Sequence, residues 1–132
     1  MAKILIIDDE ESLRDNMTAF LEDEGHRVLA THCAEAGLQK LAQFQPDLVI
    51  VDLRLEGASG ERFVKTAYSL QPTTCYIIHT GSKEYTLPRS LEMLGISDRN
   101  LLYKPIPDLL QLSNLINELL AEHTETLKRH QS

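Results

Sequence analysis

Residues 46–55 read Pro46-Asp47-Leu48-Val49-Ile50-Val51-Asp52-Leu53-Arg54-Leu55. After Asp47 the run to Val51 is apolar without a break, and it stops at a carboxylate. A continuous apolar run of this length is the mark of a central strand buried on both faces, as in a parallel sheet. The same pattern recurs on either side. Lys3–Ile7 reads as a strand that stops at Asp8-Asp9, and Arg27–Thr31 reads as a short second strand. Thr74–His79 stops at Thr80, and Asn100–Tyr103 stops at Lys104.

Helical periodicity fills the intervals. Leu13, Met17, Phe20 and Leu21 share one face, with Gly25 placed as the residue that closes that helix. Ala34, Leu38, Leu41 and Phe44 mark a second helix that ends before Pro46. Glu56-Gly57-Ala58-Ser59-Gly60 reads as a loop, followed by Phe63, Val64, Ala67 and Leu70 at helical spacing up to Pro72. Leu87, Leu91 and Leu94 suggest a fourth helix with Pro88 in its first turn or before it. Gly95 to Asn100 reads as an enlarged loop. The last helix is predicted from near Pro107-Asp108 to about Leu127, carrying Leu109, Leu112, Leu115, Ile116, Leu119 and Leu120.

Five β-α units in series predict an α/β fold, a three-layer (βα)5 doubly wound parallel sheet with right-handed crossovers. Ligands of such sheets bind beyond the carboxyl ends of the strands, at the switch point in strand order. The four stops are therefore expected on one edge. Asp8, Asp9, Asp52, Thr80 and Lys104 would there supply three carboxylates, a hydroxyl and an ammonium to one crevice. Clustered carboxylates repel and need a cation between them, and hard carboxylate oxygens suit Mg²⁺ or Mn²⁺. Taken singly, each residue has a plainer reading. One aspartate of the pair can N-cap the first helix, Thr80 can be an ordinary strand-end residue, and Lys104 can be a solvated loop lysine.

The 132 residues suit one domain with its own core. The division expected is a domain over 1–121, with 122–132 forming the polar end of the last helix and a tail. Hydrophobic content of 42% and charged content of 25% are those of an ordinary globular chain. A net charge of −7 without a basic stripe argues against direct nucleic-acid binding. Only Lys128-Arg129-His130 forms a basic cluster. Cys33 and Cys75 lack metal-ligand spacing and read as buried or half-buried thiols. There is no signal pattern, and no apolar run approaches the roughly 18 residues of a membrane span. A cytoplasmic, reduced protein without a membrane anchor is expected.

With these motifs in place, the chain resembles the receiver domain of two-component response regulators, in a chemotaxis-receiver-like form. The matching residues are Ile7-Asp8-Asp9-Glu10, the segment 46–55, Gly57 and Gly60, His79-Thr80-Gly81 and Lys104-Pro105, over residues 1 to about 120. The resemblance implies a flavodoxin-like strand order 2-1-3-4-5. It implies Asp52 as phosphoryl acceptor and a metal held by Asp8, Asp9, Asp52 and the backbone carbonyl of Arg54. Thr80 and Lys104 are implied as partners of the phosphoryl oxygens. The implied function is acceptance of a phosphoryl group, with Mg²⁺, from a phosphohistidine of a sensor kinase or phosphotransfer protein. The output is a change of surface read by a partner protein or attached effector. On this reading the protein is no enzyme beyond its own phosphorylation and dephosphorylation.

The chain departs from that family's pattern in places. Glu56 stands where proline is usual. Leu101 stands where the switch aromatic is usual, three residues before the lysine. Either Tyr103, on the same strand face, takes the switch role or the aromatic switch is absent. Ser82 to Asn100 is slightly long, which leaves the output surface and a homodimer open. Arg54 and Ser82 occupy positions that tune acyl-phosphate lifetime in the family. The apolar rhythm of the last helix breaks at His123, too early for a coiled coil, leaving either a packed helix with a polar end or an extension into a dimer contact or linker. A stand-alone protein and the receiver portion of a longer regulator both remain open. Two other classes compete. A haloacid-dehalogenase-like phosphatase requires Asp-x-Asp after strand one, which Asp8-Asp9 does not supply. A receiver-like module that is never phosphorylated would not need Asp52, Thr80 and Lys104 together.

Overall fold

The computed structural model describes residues 1–55 and 59–131. Glu56, Gly57 and Ala58, read above as loop, and Ser132 lie outside the described residues. The strands are β1 (Lys3–Ile7), β2 (Arg27–Thr31), β3 (Leu48–Asp52), β4 (Cys75–Thr80) and β5 (Leu101–Tyr103). The helices are α1 (Glu11–Asp23), α2 (Ala34–Phe44), α3 (Gly60–Leu70), α4 (Arg89–Glu92) and α5 (Leu109–Gln131). All strand pairs are parallel, in the order β2-β1-β3-β4-β5. The predicted architecture and the implied strand order are both observed.

The central strand behaves as its sequence requires, with all five residues of β3 buried. Alternation of side chains divides the core between the two faces of the sheet. Leu5, Ile7, Val49, Val51, Tyr76 and Ile78 pack with Leu41, Phe63, Val64 and Leu91 on the face covered by α2, α3 and α4. Ile4, Ile6, Leu48, Ile50 and Ile77 pack with Met17, Leu21, Leu112 and Ile116 on the face covered by α1 and α5. Each such side chain, fully buried, contributes about 1.5–3 kcal/mol of apolar transfer. Cys33 is half-buried and Cys75 buried, and both are free thiols.

Helix ends follow local chemistry. Gly25 takes φ +96° after α1, where His26 N donates to Leu21 O (3.1 Å) and Gly25 N to Glu22 O (2.9 Å). This pairing is a Schellman closure, which favours glycine at the left-handed position. Gln45 adopts φ 51° as the C-cap of α2, just before Pro46.

Three boundaries differ from expectation. The fourth helix is one short turn, Arg89–Glu92, rather than a span from Leu87 to Leu94. Pro88 is its N-cap, and Gly95 at φ +89° turns the chain away after it. Leu87 and Leu91 are buried all the same, so their spacing reports burial rather than helix.

Asn100 is not strand. It ends a 3-10 turn, Asp98–Asn100, closed by a capping box with Ser97. Asn100 is buried and donates its Nδ2 to Tyr76 O at 2.8 Å, while its Oδ1 accepts from Ser97 N at 3.0 Å. The supposed enlarged loop is thus hydrogen-bonded to β4.

The last helix runs to Gln131, a few residues beyond the end expected near Leu127. His123 Nε2 lies 2.5 Å from Thr73 O, and Arg99 pairs with Glu118 at 3.3 Å and with Glu122. These contacts tie the distal half of α5 to the amino-terminal end of β4 and to the 3-10 turn.

Replacing Asn100 by alanine leaves the buried Tyr76 carbonyl without this donor. An unsatisfied buried group costs about 1–3 kcal/mol. Asn100→Ala is therefore expected to lower the unfolding free energy by that amount, read in urea as a lower midpoint with an unchanged m-value, and an unshifted midpoint would show that the turn is held by other contacts.

Candidate functional site

The site assembles at the carboxyl ends of β1, β3, β4 and β5. β1 and β3 are neighbours, pairing Ile7 with Val51, so the residues that follow them meet. Asp8 is 1% exposed and Asp52 6% exposed, whereas Asp9 is exposed. One carboxylate oxygen from each of the three lies within 4.8 Å of the others. Among the described residues this is the one such acidic or ligand-type group.

Local hydrogen bonds fix the two buried carboxylates. Asp8 Oδ1 accepts from Glu10 N at 2.9 Å, and Arg14 Nη1 donates to Asp8 O at 2.7 Å. The N-cap of α1 is Glu10, which makes no side-chain cap bond, so neither aspartate serves as the N-cap. Asp52 Oδ1 accepts from Arg54 N at 3.1 Å. The backbone around Asp52 is crowded from behind. Gly60 N donates to Leu53 O at 2.8 Å, and Arg54 and Ser59 form an antiparallel bridge. Ser59 Oγ caps α3 by accepting from Arg62 N at 3.2 Å.

Lys104 reaches into this acidic set from the end of β5. Its Nζ donates to Asp52 Oδ2 at 3.0 Å and lies 3.4 Å from Asp8 Oδ2. The Lys104–Pro105 peptide bond is cis. Lys104 N donates to Thr80 O at 2.8 Å, so the two residues are held side by side. Thr80 is buried, and its Oγ1 accepts from Ser82 N at 3.1 Å. That leaves its own O–H available to donate. A crevice of about 400 Å³ is lined by Asp9, Glu10, Asp52, Arg54, Thr80 and Lys104, together with Leu53, Gly81 and Ser82.

The electrostatics follow from burial and from like charges in proximity. Burial pushes the Asp8 carboxyl up, and the Asp52 charge adds to this. The Glu10 amide and Lys104 oppose it. For Lys104, burial acts downward, but the hydrogen bond to Asp52 and the charges of Asp8 and Asp52 outweigh it and hold the ammonium above its ordinary value. Asp8 Oδ2, although near Lys104, has no hydrogen-bond partner. A buried carboxylate oxygen without a partner, beside two more carboxylates, is a donor set suited to a small divalent cation.

The structure brings together all five residues singled out at the strand ends. It separates the two switch candidates. Leu101 is buried in the core opposite Ile78, whereas Tyr103 pairs with Thr80 and is 38% exposed. Sequence reasoning counted Gly60 and His79 among the matching motifs but gave neither a role. An ideal Cβ on Gly60 would stand 2.4 Å from Asp52 O and 2.9 Å from Leu53 Cα, so only glycine fits there. His79 is fully buried, with its Nδ1 4.0 Å from Asp8 Oδ2. Burial, helped by the Lys104 charge and opposed by Asp52, lowers its pKa to about 4. The signal was a lone polar residue inside the otherwise apolar run 75–79.

Comparison with known proteins agrees with this geometry. The family described as response regulator receiver domain matches residues 4–117. The KDP operon transcriptional regulatory protein KdpE of Escherichia coli (strain K12) is 29% identical over 130 residues, which are 98% of this chain and 53% of that protein. An uncharacterized transcriptional regulatory protein, YesN of Bacillus subtilis, is 28% identical over 92% of this chain and 33% of its own length. The chain thus spans between a third and about half of these curated relatives. A CheY-like response regulator receiver domain protein from Methanospirillum hungatei superposes with TM-score 0.84 at 27% identity, covering 96% of this chain and 98% of that one. A receiver domain protein from Clostridium thermocellum gives TM-score 0.80 at 27% identity over 96% and 99% of the two chains.

The close approach of Gly60 to the Asp52 carbonyl makes a test. Gly60→Ala is expected to destabilise the fold by about 1–3 kcal/mol, the usual cost of overpacking, and to displace the Asp52 amide signals. A fully stable variant with unmoved signals around Asp52 would show that the backbone there yields freely.

Proposed function

This chain belongs to the response regulator receiver domain family of two-component systems, and on that premise we propose that Asp52 accepts a phosphoryl group from a phosphohistidine of a sensor kinase or phosphotransfer protein. The observation that carries the reading is the position of Lys104. It holds Asp52 at 3.0 Å and faces Asp8 at 3.4 Å in the same crevice as Thr80.

A carboxylate is a weak nucleophile toward an anionic donor, so positioning and charge neutralisation must supply the rate. Asp52 attacks phosphorus with one carboxylate oxygen. A new P–O bond forms as the P–N bond breaks, and the electron pair leaves on the imidazole nitrogen. Asp8, Asp9, Asp52 and the Arg54 carbonyl would hold Mg²⁺, or Mn²⁺, which supplies positive charge to the transferred group. Lys104 turns from the carboxylate to a phosphoryl oxygen, and Thr80 donates its free O–H to another.

The register supports a route by which the product would be sensed. Thr80 pairs with Tyr103 on β5 and is bonded to Lys104 N. A pull on Thr80 toward Asp52 therefore acts beside Tyr103, which is half-exposed, and not beside Leu101, which is packed in the core. We assign the aromatic switch to Tyr103. Output passes to a downstream protein or effector domain. The proposed setting is the cytoplasm, consistent with two free cysteines. Among the described residues no helix is long and apolar enough to cross a membrane. The acidic charge makes direct DNA contact by this domain unfavourable. The domain turns over no substrate other than its own acyl phosphate.

Three measurements test the reading. With Mg²⁺ at one hundred times its Kd, mass action is expected to add about 2.7 kcal/mol to stability. With acetyl phosphate, one phosphoryl group should appear in the intact mass, and Asp52→Asn should abolish it. Multiple turnover of an unrelated phosphate ester would instead support the phosphatase class. In beryllofluoride titrations, the Tyr103 ring signals are expected to shift well beyond the Leu101 methyl signals, and the reverse order would remove Tyr103 from the switch.

A further inference from the structure

His79 is the polar residue for which the site as described has no use. It is fully buried, and neither Nδ1 nor Nε2 has a hydrogen-bond partner. A buried polar group left so is destabilising, because it gives up its hydrogen bonds to water without replacement. An imidazole kept at such a position calls for a reason, since β4 would pack an aliphatic side chain there at no such cost.

The reason lies directly across from it. On β4, His79 pairs with Asp52 of β3 and with Leu102 of β5. Its Nδ1 faces Asp8 Oδ2 at 4.0 Å, and that oxygen is likewise buried and without a hydrogen-bond partner. Two orphaned polar atoms, one able to donate and one to accept, thus stand about 1 Å beyond hydrogen-bond distance. Among the described residues, the cation paired with Asp8 Oδ2 is Lys104 at 3.4 Å. On the proposed function, Lys104 turns to the phosphoryl group, and Asp8 then loses that neighbour in a place water does not reach.

We propose that His79, as the tautomer protonated on Nδ1, is the positioning residue for Asp8: it closes onto Asp8 Oδ2 and holds the carboxylate in the orientation that binds the cation. This rests on the receiver-domain reading of the crevice. The ring does not touch the phosphoryl group and is not catalytic. A carboxylate oxygen has two lone pairs, so Asp8 Oδ2 can accept from the ring and face a cation together. Hydrogen bonds that orient a metal-binding carboxylate in this way typically change metal affinity by about 10–100-fold.

The test uses the whole chain and two substitutions. His79→Leu removes the donor while keeping an apolar fill. His79→Asn keeps an N–H near the Nδ1 position. Mg²⁺ affinity is measured by calorimetry, and the rate of phosphorylation by acetyl phosphate is measured at saturating Mg²⁺. His79→Leu is expected to weaken Mg²⁺ by about 10-fold or more with a near wild-type rate at saturation, and His79→Asn to recover most of the affinity. Nitrogen-15 spectra of the unmutated protein should show the proton on Nδ1, with a shift when Mg²⁺ is added. Equal Mg²⁺ affinity in His79→Leu and wild type, equal impairment in both variants, or a proton on Nε2 in the native ring would overturn the assignment. A wild-type protein that binds no Mg²⁺ and takes no phosphoryl group would overturn the receiver reading itself, which separates the two failures.

Discussion

One ammonium between two buried carboxylates is the constraint on which this molecule's site depends. Asp8 and Asp52 sit at the ends of adjacent strands with almost no access to water, and Lys104 Nζ faces an Oδ2 of each. Without a cation there, like charges in a poorly solvated crevice would repel, and one carboxylate would take up a proton. Removing one partner from a buried ion pair generally costs about 3–5 kcal/mol, because the charge left behind is uncompensated. Yet one lysine does not balance three carboxylates. The excess of negative charge suits the crevice to a divalent cation, and on the proposed function such a cation would free Lys104 for an incoming phosphoryl group.

The sheet creates this arrangement through register rather than through any special local structure. Parallel pairing of β1 with β3, and of β3 with β4, places Asp8, Asp52 and His79 on the face covered by α1 and α5, continuing the rows Ile4-Ile6, Leu48-Ile50 and Cys75-Ile77. Thr80 falls on the other face, in line with Tyr76 and Ile78. Slipping any of these strands by one residue would exchange the faces. The apolar rows beneath forbid that, so the core that stabilises the fold also fixes the geometry of the site.

This coupling explains why so much was legible in the sequence. Strands buried on both faces leave unbroken apolar runs, and polar residues that end such runs mark the sheet edge where ligands bind. Asp8, Asp52, Thr80 and Lys104 were visible on those grounds. What escaped depended on contacts between distant parts of the chain. Leu87, Leu91 and Leu94 have helical spacing, but Pro88 and Gly95 confine the helix to a single turn, and two of the leucines are simply packed in the core. The polar end of α5 carries no continuous apolar face, and its contacts, His123 to Thr73 and Glu118 and Glu122 to Arg99, have no local signature. Asn100 looked like strand because its hydrogen bond to Tyr76 lies 24 residues away in sequence. His79 sat inside an apolar run, and only its facing partner, Asp8, gives it meaning.

On the proposed function, the segment after Thr80 would carry an event at Asp52 outward, because it is pinned at two points. At one end Thr80 Oγ1 accepts from Ser82 N at 3.1 Å, and Thr80 O accepts from Lys104 N at 2.8 Å. At the other, Tyr85 OH donates to Glu61 Oε1 at 2.8 Å, and Glu61 lies in the first turn of α3, directly after Gly60. Gly60 is in turn pressed against the Asp52 carbonyl. A closed circuit therefore runs from Asp52 through Gly60 and Glu61 to Tyr85, and back through Thr80 and Lys104. Moving Thr80 toward Asp52 shortens one side of that circuit. Such a movement would require the Tyr85–Glu61 bond to follow or to break, and packed interiors favour discrete arrangements over continuous deformation. The half-exposed Tyr103, paired with Thr80 at the edge of the sheet, is where the proposed switch would bring that change to the surface.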